Sequence, residues 1–269
     1  VIVSFSFAIV AEPYPLLAAY LNNHTRILLE VCVASVDDAV AAFRGGADRL
    51  ELNFAIELGG LTPSVGLLEE VKRAVSIPVV AMVRPKPGGF HYSAADLRLM
   101  MRDAEMLLAA GADGIVSGAL KEDGTIEDTY WGSLKRKSES RELIFHRAFD
   151  VVSDQRSLLK ALIDLDTTRV LTSGGRDTAW EGREQIAKLN EHFGKQIELL
   201  PGSGISSENA VDVVLATGCT QIHGSFSRLQ TGQFTGWLRN ENRRATSQQL
   251  VAATRAALDS RERMIDSLG

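Results

Sequence analysis

Cysteine is almost missing from this 269-residue chain: there are two, Cys32 and Cys219, with no C-x-x-C pair. That scarcity excludes a disulfide scaffold and a structural zinc site, and it fits a reducing compartment such as the cytoplasm. An excess of positive charge is missing too. With 29 Lys and Arg against 34 Asp and Glu, the net charge is −5. Such a chain has no basic footprint for nucleic acid or an anionic membrane, so neither is expected as a partner. No apolar run reaches the length that spans a bilayer. No βα turn carries the glycine fingerprint of a dinucleotide fold, and G-S-G-I-S-S-E-N at 202–209 only half resembles it. No linker or shift in composition divides the chain, which argues against a second domain.

What remains is a rhythm. Residues 1–25 stand apart as an N-terminal extension, apolar at first (V-I-V-S-F-S-F-A-I-V-A) and then marked by Glu12-Pro13. A signal peptide would want a basic start, and none is present. The extension is expected to pack on the domain or to be disordered in part. From Arg26 short apolar strands alternate with helical segments. Strands are expected at about 26–33, 48–53, 78–84, 114–119, 142–148, 169–173, 196–200 and 221–225. Helices are expected at about 36–44, 64–75, 93–110, 126–137, 155–164, 180–193, 206–217 and, after a polar loop, 246–267. Ser64 and Ser93 suit N-caps, and Gly45-Gly46, Gly111, Gly194 and Gly218 stand where helices stop. In the segment 93–110, Leu97, Met100, Met101, Ala104, Leu107 and Leu108 form one stripe, which reads as core and not as a methionine metal box. Eight βα units over 26–269 predict an α/β protein, a single-domain TIM-type (β/α)8 barrel, with a doubly wound open sheet as the alternative.

The fifth strand draws attention to a site. Residues 143–150 read L-I-F-H-R-A-F-D, a buried-strand pattern carrying His146, Arg147 and Asp150. Strands covered on both faces are nearly all apolar, and an unpaired buried charge is costly. In a barrel, function sits at the carboxyl ends of the strands, and residues two apart share a face. On this pattern the mouth receives Glu30 and Cys32, Glu51 and Asn53, Arg84, Ser117, His146 with Asp150 beyond, Thr172, and His223 with Ser225.

Those residue types suit acid–base chemistry. Crowding of Glu30 and Glu51 should raise one carboxyl so that it holds a proton near neutrality. His146 or His223 could shuttle a proton, and Arg84 could clamp a carboxylate, phosphate or enolate. The expected catalytic set is Glu30, Glu51, Arg84, His146, Asp150 and His223, with Glu51 or His146 as base in proton transfer, lysis or hydrolysis. The loops T-S-G-G (172–175), P-G-S-G-I-S (201–206) and H-G-S-F-S-R (223–228) suggest an anion cradle. Thr172, Gly174, Gly202, Gly204 and Ser225 are its candidates, the helix after Gly204 starting at Ser206. A soft metal is the competing use. Cys32 beside His146 or His223 could hold Cu(I) or zinc. A third reading makes the cluster a buried ion-pair network, with Glu51 and Arg84 neutralising one another.

The ordered stretches E-V-C-V-A-S-V (30–36), G-G-A-D-R-L-E-L (45–52), G-G-L-T-P-S-V-G (59–66), M-V-R-P (82–85), F-H-R-A-F-D (145–150), L-T-S-G-G (171–175), P-G-S-G-I (201–205) and H-G-S (223–225) resemble the CutC family of copper homeostasis proteins. The resemblance covers about Leu29 to Arg228. It implies a TIM-type barrel, a cytoplasmic homo-oligomer such as a dimer, and a link to copper tolerance through copper binding. Glu30, Cys32, Glu51, Arg84, His146, Arg147, Asp150 and His223 match the family's polar cluster. Asn53 stands where many members carry a second cysteine, so a two-thiolate Cu(I) site cannot form here. Gly89 likewise lacks the carboxylate usual after Arg84. The expectation is a copper-homeostasis protein whose barrel mouth also suits a small anionic ligand. The alternative is a lyase, isomerase or hydrolase acting on a small phosphorylated or carboxylated metabolite with no copper role.

Overall fold

Leu28–Val33 reads L-L-E-V-C-V, and its alternation shows how the barrel is built. Leu29, Val31 and Val33 face the helix layer and are fully buried, while Glu30 and Cys32 turn into the barrel. The structure, a computed structural model, describes residues 26–231 and 242–266. The extension expected over 1–25 lies outside the described residues.

Eight parallel strands follow: β1 (Leu28–Val33), β2 (Arg49–Leu52), β3 (Val79–Met82), β4 (Gly114–Ser117), β5 (Glu142–Phe145), β6 (Arg169–Thr172), β7 (Glu198–Pro201) and β8 (Gln221–Gly224). They are hydrogen-bonded in the order β7-β6-β5-β4-β3-β2-β1-β8. A single parallel bridge, Gly202 to His223, joins the two ends. The ring is thus a nearly closed TIM-type barrel, as expected from the repeated βα pattern, and the open-sheet alternative is excluded.

The helices are α1 (Val36–Arg44), α2 (Val65–Ala74), α3 (Ala94–Ala109), α4 (Asp128–Ser138), α5 (Gln155–Asp164), α6 (Arg183–Phe193), α7 (Ala210–Thr217) and α8 (Gln248–Asp266). Ser64 Oγ caps α2 by accepting from Leu67 N, and Ser93 makes a reciprocal capping box with Asp96 at α3. The α3 stripe is core: Met100, Ala104, Leu107 and Leu108 are buried. Gly218 ends α7 in the left-handed region at φ 67°, as a C-terminal glycine does. Gly45 has a different reason. Its φ is −78°, but a Cβ there would stand 2.6 Å from Val251, so glycine lets α8 lie against the end of α1. No described helix is long and apolar enough to cross a membrane.

Three expectations need correction. The fifth strand stops at Phe145, and Arg147–Val151 forms a 3-10 turn because His146 Nδ1 accepts from Ala148 N at 3.1 Å. The helix after Gly204 starts at Ala210 and not Ser206, since Asn209 Oδ1 and Ser206 Oγ take the backbone N–H groups of Ser206 and Glu208 into a turn. The polar loop before α8 contains an antiparallel hairpin, β9 (Ser227–Thr231) with β10 (Asn242–Thr246).

The barrel interior is layered. Val80, Met82, Val116 and Ile144 form a small apolar cluster separate from the main core. At the amino-terminal end, the first residues of the strands form a polar floor. Arg49 Nε donates to Glu30, its Nη2 to Gln221 Oε1 at 2.9 Å, and Gln221 Nε2 to Glu198 Oε2 at 3.0 Å. The fully buried Arg169 pairs with Glu142 and, at 3.3 Å, with Glu198. Conservative disruption of this end should read as lost stability. Arg49→Met leaves Glu30 buried without its cation and should lower the urea-unfolding free energy by about 3–5 kcal/mol. An unchanged midpoint would show that the floor is not holding the barrel.

Candidate metal and ligand site

At the carboxyl end of the barrel lies a cavity of about 520 Å³. Of the expected site residues, Cys32, Glu51, Arg84, His146, Gly204, His223 and Ser225 line it. Glu30, Asp150, Thr172, Gly174 and Gly202 do not, and each has another role. Asp150 Oδ1 accepts from Thr172 Oγ1 at 2.6 Å and from the N–H groups of Ser173 and Gly175. Its other oxygen takes Arg147 Nε at 2.8 Å. Asp150 therefore ties the 3-10 turn to the loop after β6 and has no lone pair left for chemistry. Thr172 Oγ1 also accepts from Gly174 N, so both belong to that tie. Gly202 forms the closing bridge, where a Cβ would meet Leu171 at 2.7 Å.

Arg84 is not the partner of Glu51, and its terminal nitrogens are turned to backbone carbonyls. Its Nη1 donates to the carbonyls of Leu58 and Gly60, both at 3.1 Å, and Nη2 to that of Gly88 at 2.8 Å. The guanidinium straps two mouth loops together and lies 5.3 Å from the Phe90 ring centroid. Among the described residues it has no carboxylate partner.

The register of β1 with its neighbours gathers side chains of types able to ligate a metal. Cys32 stands beside Glu51 on β2, and Glu30 beside His223 on β8. A sulfur, a carboxylate oxygen and an imidazole nitrogen of Cys32, Glu51 and His223 lie within 4.8 Å of one another, and all three residues are buried. His223 Nδ1 is 2.8 Å from Glu30 Oε1, which leaves Nε2 for the cavity. Asn53 Nδ2 donates to Glu51 Oε1 at 2.8 Å and to Cys32 Sγ at 3.3 Å. Gly60, at φ +81°, makes room: a Cβ there would sit 2.4 Å from Asn53 Oδ1.

Environment drives the two carboxyls apart, as crowding predicts. Burial pushes Glu51 up, and the Glu30 charge adds to that against the pull of His223. Burial acts on Glu30 too, but Arg49 and the His223 hydrogen bond outweigh it and hold Glu30 well below the usual carboxylate range. Burial opposes protonation of His223, yet Glu51 and Glu30 raise it overall. Burial, Glu51 and Glu30 all push the Cys32 thiol well above its ordinary value.

His146 turns out differently from expectation. Its Nδ1 accepts the Ala148 N–H, so the ring proton sits on Nε2, which is buried without a partner. Burial, helped by the Arg84 charge, lowers its pKa to about 3. His146 is thus a neutral N–H donor and not a base. Glu51 Oε2, Asn53 Oδ1 and Arg84 Nε are likewise buried without partners, so four polar atoms of cavity-lining residues would accept a ligand's complement. Sequence reading missed Arg49, Gln221, Arg169, Phe90 and Arg244. The spacing R-L-E-L, placing Arg49 on the face of Glu51, was the one available signal.

Long-range proton–nitrogen NMR should show His146 as the neutral Nε2–H tautomer until the pH approaches about 3. A group harder to protonate when folded adds stability above its ordinary value of 6.5, and that contribution is lost as the pH falls through about 3. His146→Gln should therefore flatten the acid loss of stability seen in urea titrations. A His146 signal that titrates near 6.5 contradicts the assignment.

The family model described as the CutC family matches residues 27–228. A CutC family protein of Treponema denticola is 48% identical over 197 residues, covering 73% of this chain and 80% of that one. The human copper homeostasis protein cutC homolog is 44% identical over 198 residues, covering 74% and 72%. A crystal structure of CutC from Streptococcus agalactiae superposes with a TM-score of 0.71 at 31% identity, covering 74% of this chain and 98% of that one. The chain belongs to the CutC family.

Proposed function

We propose that this protein serves copper homeostasis by binding a single copper ion, as Cu(I), between Cys32, Glu51 and His223. The observation that carries the reading is the convergence of their ligand atoms within 4.8 Å in a buried wall. Thiolate and imidazole are ligands that soft Cu(I) accepts. The arm Arg49–Glu30–His223 is the outer-shell support expected behind a ligating histidine, since it fixes the ring and leaves Nε2 free. The human and mouse relatives carry copper homeostasis in their names. The free cysteines and the copper role together suit a reducing cytoplasm and, by family resemblance, a homodimer, which light scattering checks.

The site differs from a two-thiolate site at Asn53, whose amide donates to Cys32 and does not ligate beside it. A neutral thiol must lose its proton to bind the ion, and any proton held by His223 or Glu51, both raised, must leave as well, so at least one proton leaves per ion bound. Apparent Cu(I) affinity should rise at least about tenfold per pH unit around neutrality.

Competition titration of the reduced protein with a Cu(I) chelator tests the reading. Cys32→Ala should abolish tight binding, and Glu30→Gln should weaken it by about 10–100-fold through the loss of histidine support. Asn53→Cys, kept reduced, should tighten it. Unchanged affinity in Cys32→Ala removes the proposal.

A further inference from the structure

The cavity is far larger than an ion needs. A water-sized guest takes about 30 Å³, whereas this space is about 520 Å³ and falls in the range of small-molecule sites. Its chemistry is also graded. Beside the Cys32–Glu51–His223 wall it is lined by Met82 and Leu171 of the strands, with Phe90 packed against His146. Toward the hairpin it is lined by Ser203, Gly204, Ser206, Ser225, Ser227 and Arg244, from the segments following β7 and β8 and from β10.

Arg244 is the distinctive member. Its Nη1 donates to Ser227 Oγ at 3.2 Å, and Ser227 Oγ lies 3.3 Å from Ser225 Oγ. The other two arginines lining the cavity are engaged: Arg147 by Asp150, and Arg84 by three carbonyls. Among the described residues Arg244 has no carboxylate partner. Glu208 shares the wall, with Oε1 accepting from Ser207 Oγ at 3.1 Å. The loop beneath is conformationally committed. Ser203 and Gly204 both take positive φ, 79° and 70°, and a non-glycine residue there carries strain of about 1–3 kcal/mol. Loops after the seventh and eighth strands are where barrels of this kind commonly hold phosphate. Two hydroxyls of the segment after β8, Ser225 and Ser227, beside one guanidinium suit an oxyanion with several acceptor oxygens. The unpartnered Glu51 Oε2, Asn53 Oδ1 and His146 Nε2 are independent signs that the inner end of the same cavity receives polar atoms of a guest.

We infer that the cavity binds a small organic phosphate monoester, its phosphate held by Arg244, Ser227 and Ser225 and its body reaching inward toward His146. This goes beyond the copper reading and does not require the metal. The test uses the full, reduced, metal-free chain with a chelator present, so its outcome is independent of Cu(I) affinity. Glycerol 3-phosphate, inorganic phosphate and glycolate are titrated by calorimetry. Saturable binding is expected for glycerol 3-phosphate, tighter than for inorganic phosphate because the organic body adds contacts. Arg244→Gln should weaken it at least about tenfold with an unchanged melting temperature. Arg228→Gln removes a charge from the same hairpin at a position outside the cavity lining, and should leave binding intact. The inference is overturned if glycerol 3-phosphate does not saturate, if Arg244→Gln binds like the wild type, or if Arg228→Gln loses as much. Binding of glycolate alone overturns the phosphate assignment.

Discussion

Glu30 is the residue through which the two ends of the barrel communicate. Its carboxylate is buried and could not remain charged there alone, because desolvation would neutralise it. Arg49 on one side and His223 on the other hold it ionised. That single charge does two things. Through Arg49 and Gln221 it anchors the polar floor formed by the first residues of the strands. Through His223 it orients an imidazole at the opposite end and leaves one ring nitrogen for the cavity. The parallel register that places Glu30 against both Arg49 and His223 is therefore as much a determinant of the site as of the fold.

Above Glu30 the cavity separates chemical roles by environment. Glu51 and Glu30 are both buried carboxyls, but Glu51 faces the cavity without a cation bonded to it and is raised, whereas Glu30 is lowered. His223 and His146 diverge in the same way. One gains acidic neighbours and protonates more readily; the other is packed near Arg84 and stays neutral. Two carboxyls and two imidazoles thus give four different groups. Asn53 adds the local departure from a two-thiolate arrangement: it bridges Cys32 and Glu51 as a donor, so the wall offers one soft ligand in place of two.

Much of this was legible in the residues. The eight-fold strand–helix rhythm, the caps at Ser64 and Ser93 and the α3 stripe all follow from local periodicity, and the structure agrees with them. Period-two alternation also placed Glu30 and Cys32, and Glu51 and Asn53, on inward faces. What alternation cannot tell is depth. Glu30 and Glu51 share an interior, yet one lies below the cavity and the other in its wall. Nor does a residue's type reveal which partner meets it. Arg84 looked like an anion clamp until carbonyls of the loop after β2 and of its own loop took its terminal nitrogens, and Asp150 looked catalytic until the loop after β6 closed upon it.

The chain by itself determined the element order, the inward polar set and the family to which they point, because helix and strand periods and ordered motifs are properties of neighbouring residues. Only the tertiary structure decided which acid pairs with which base, which histidine nitrogen keeps the proton, and that the β9–β10 hairpin brings Arg244 to the cavity. Those outcomes depend on registers and packing between segments up to about two hundred positions apart, as in the bond from His223 to Glu30 across 193 residues. Burial then sets the protonation of each group, and burial is a property that no local stretch of sequence contains.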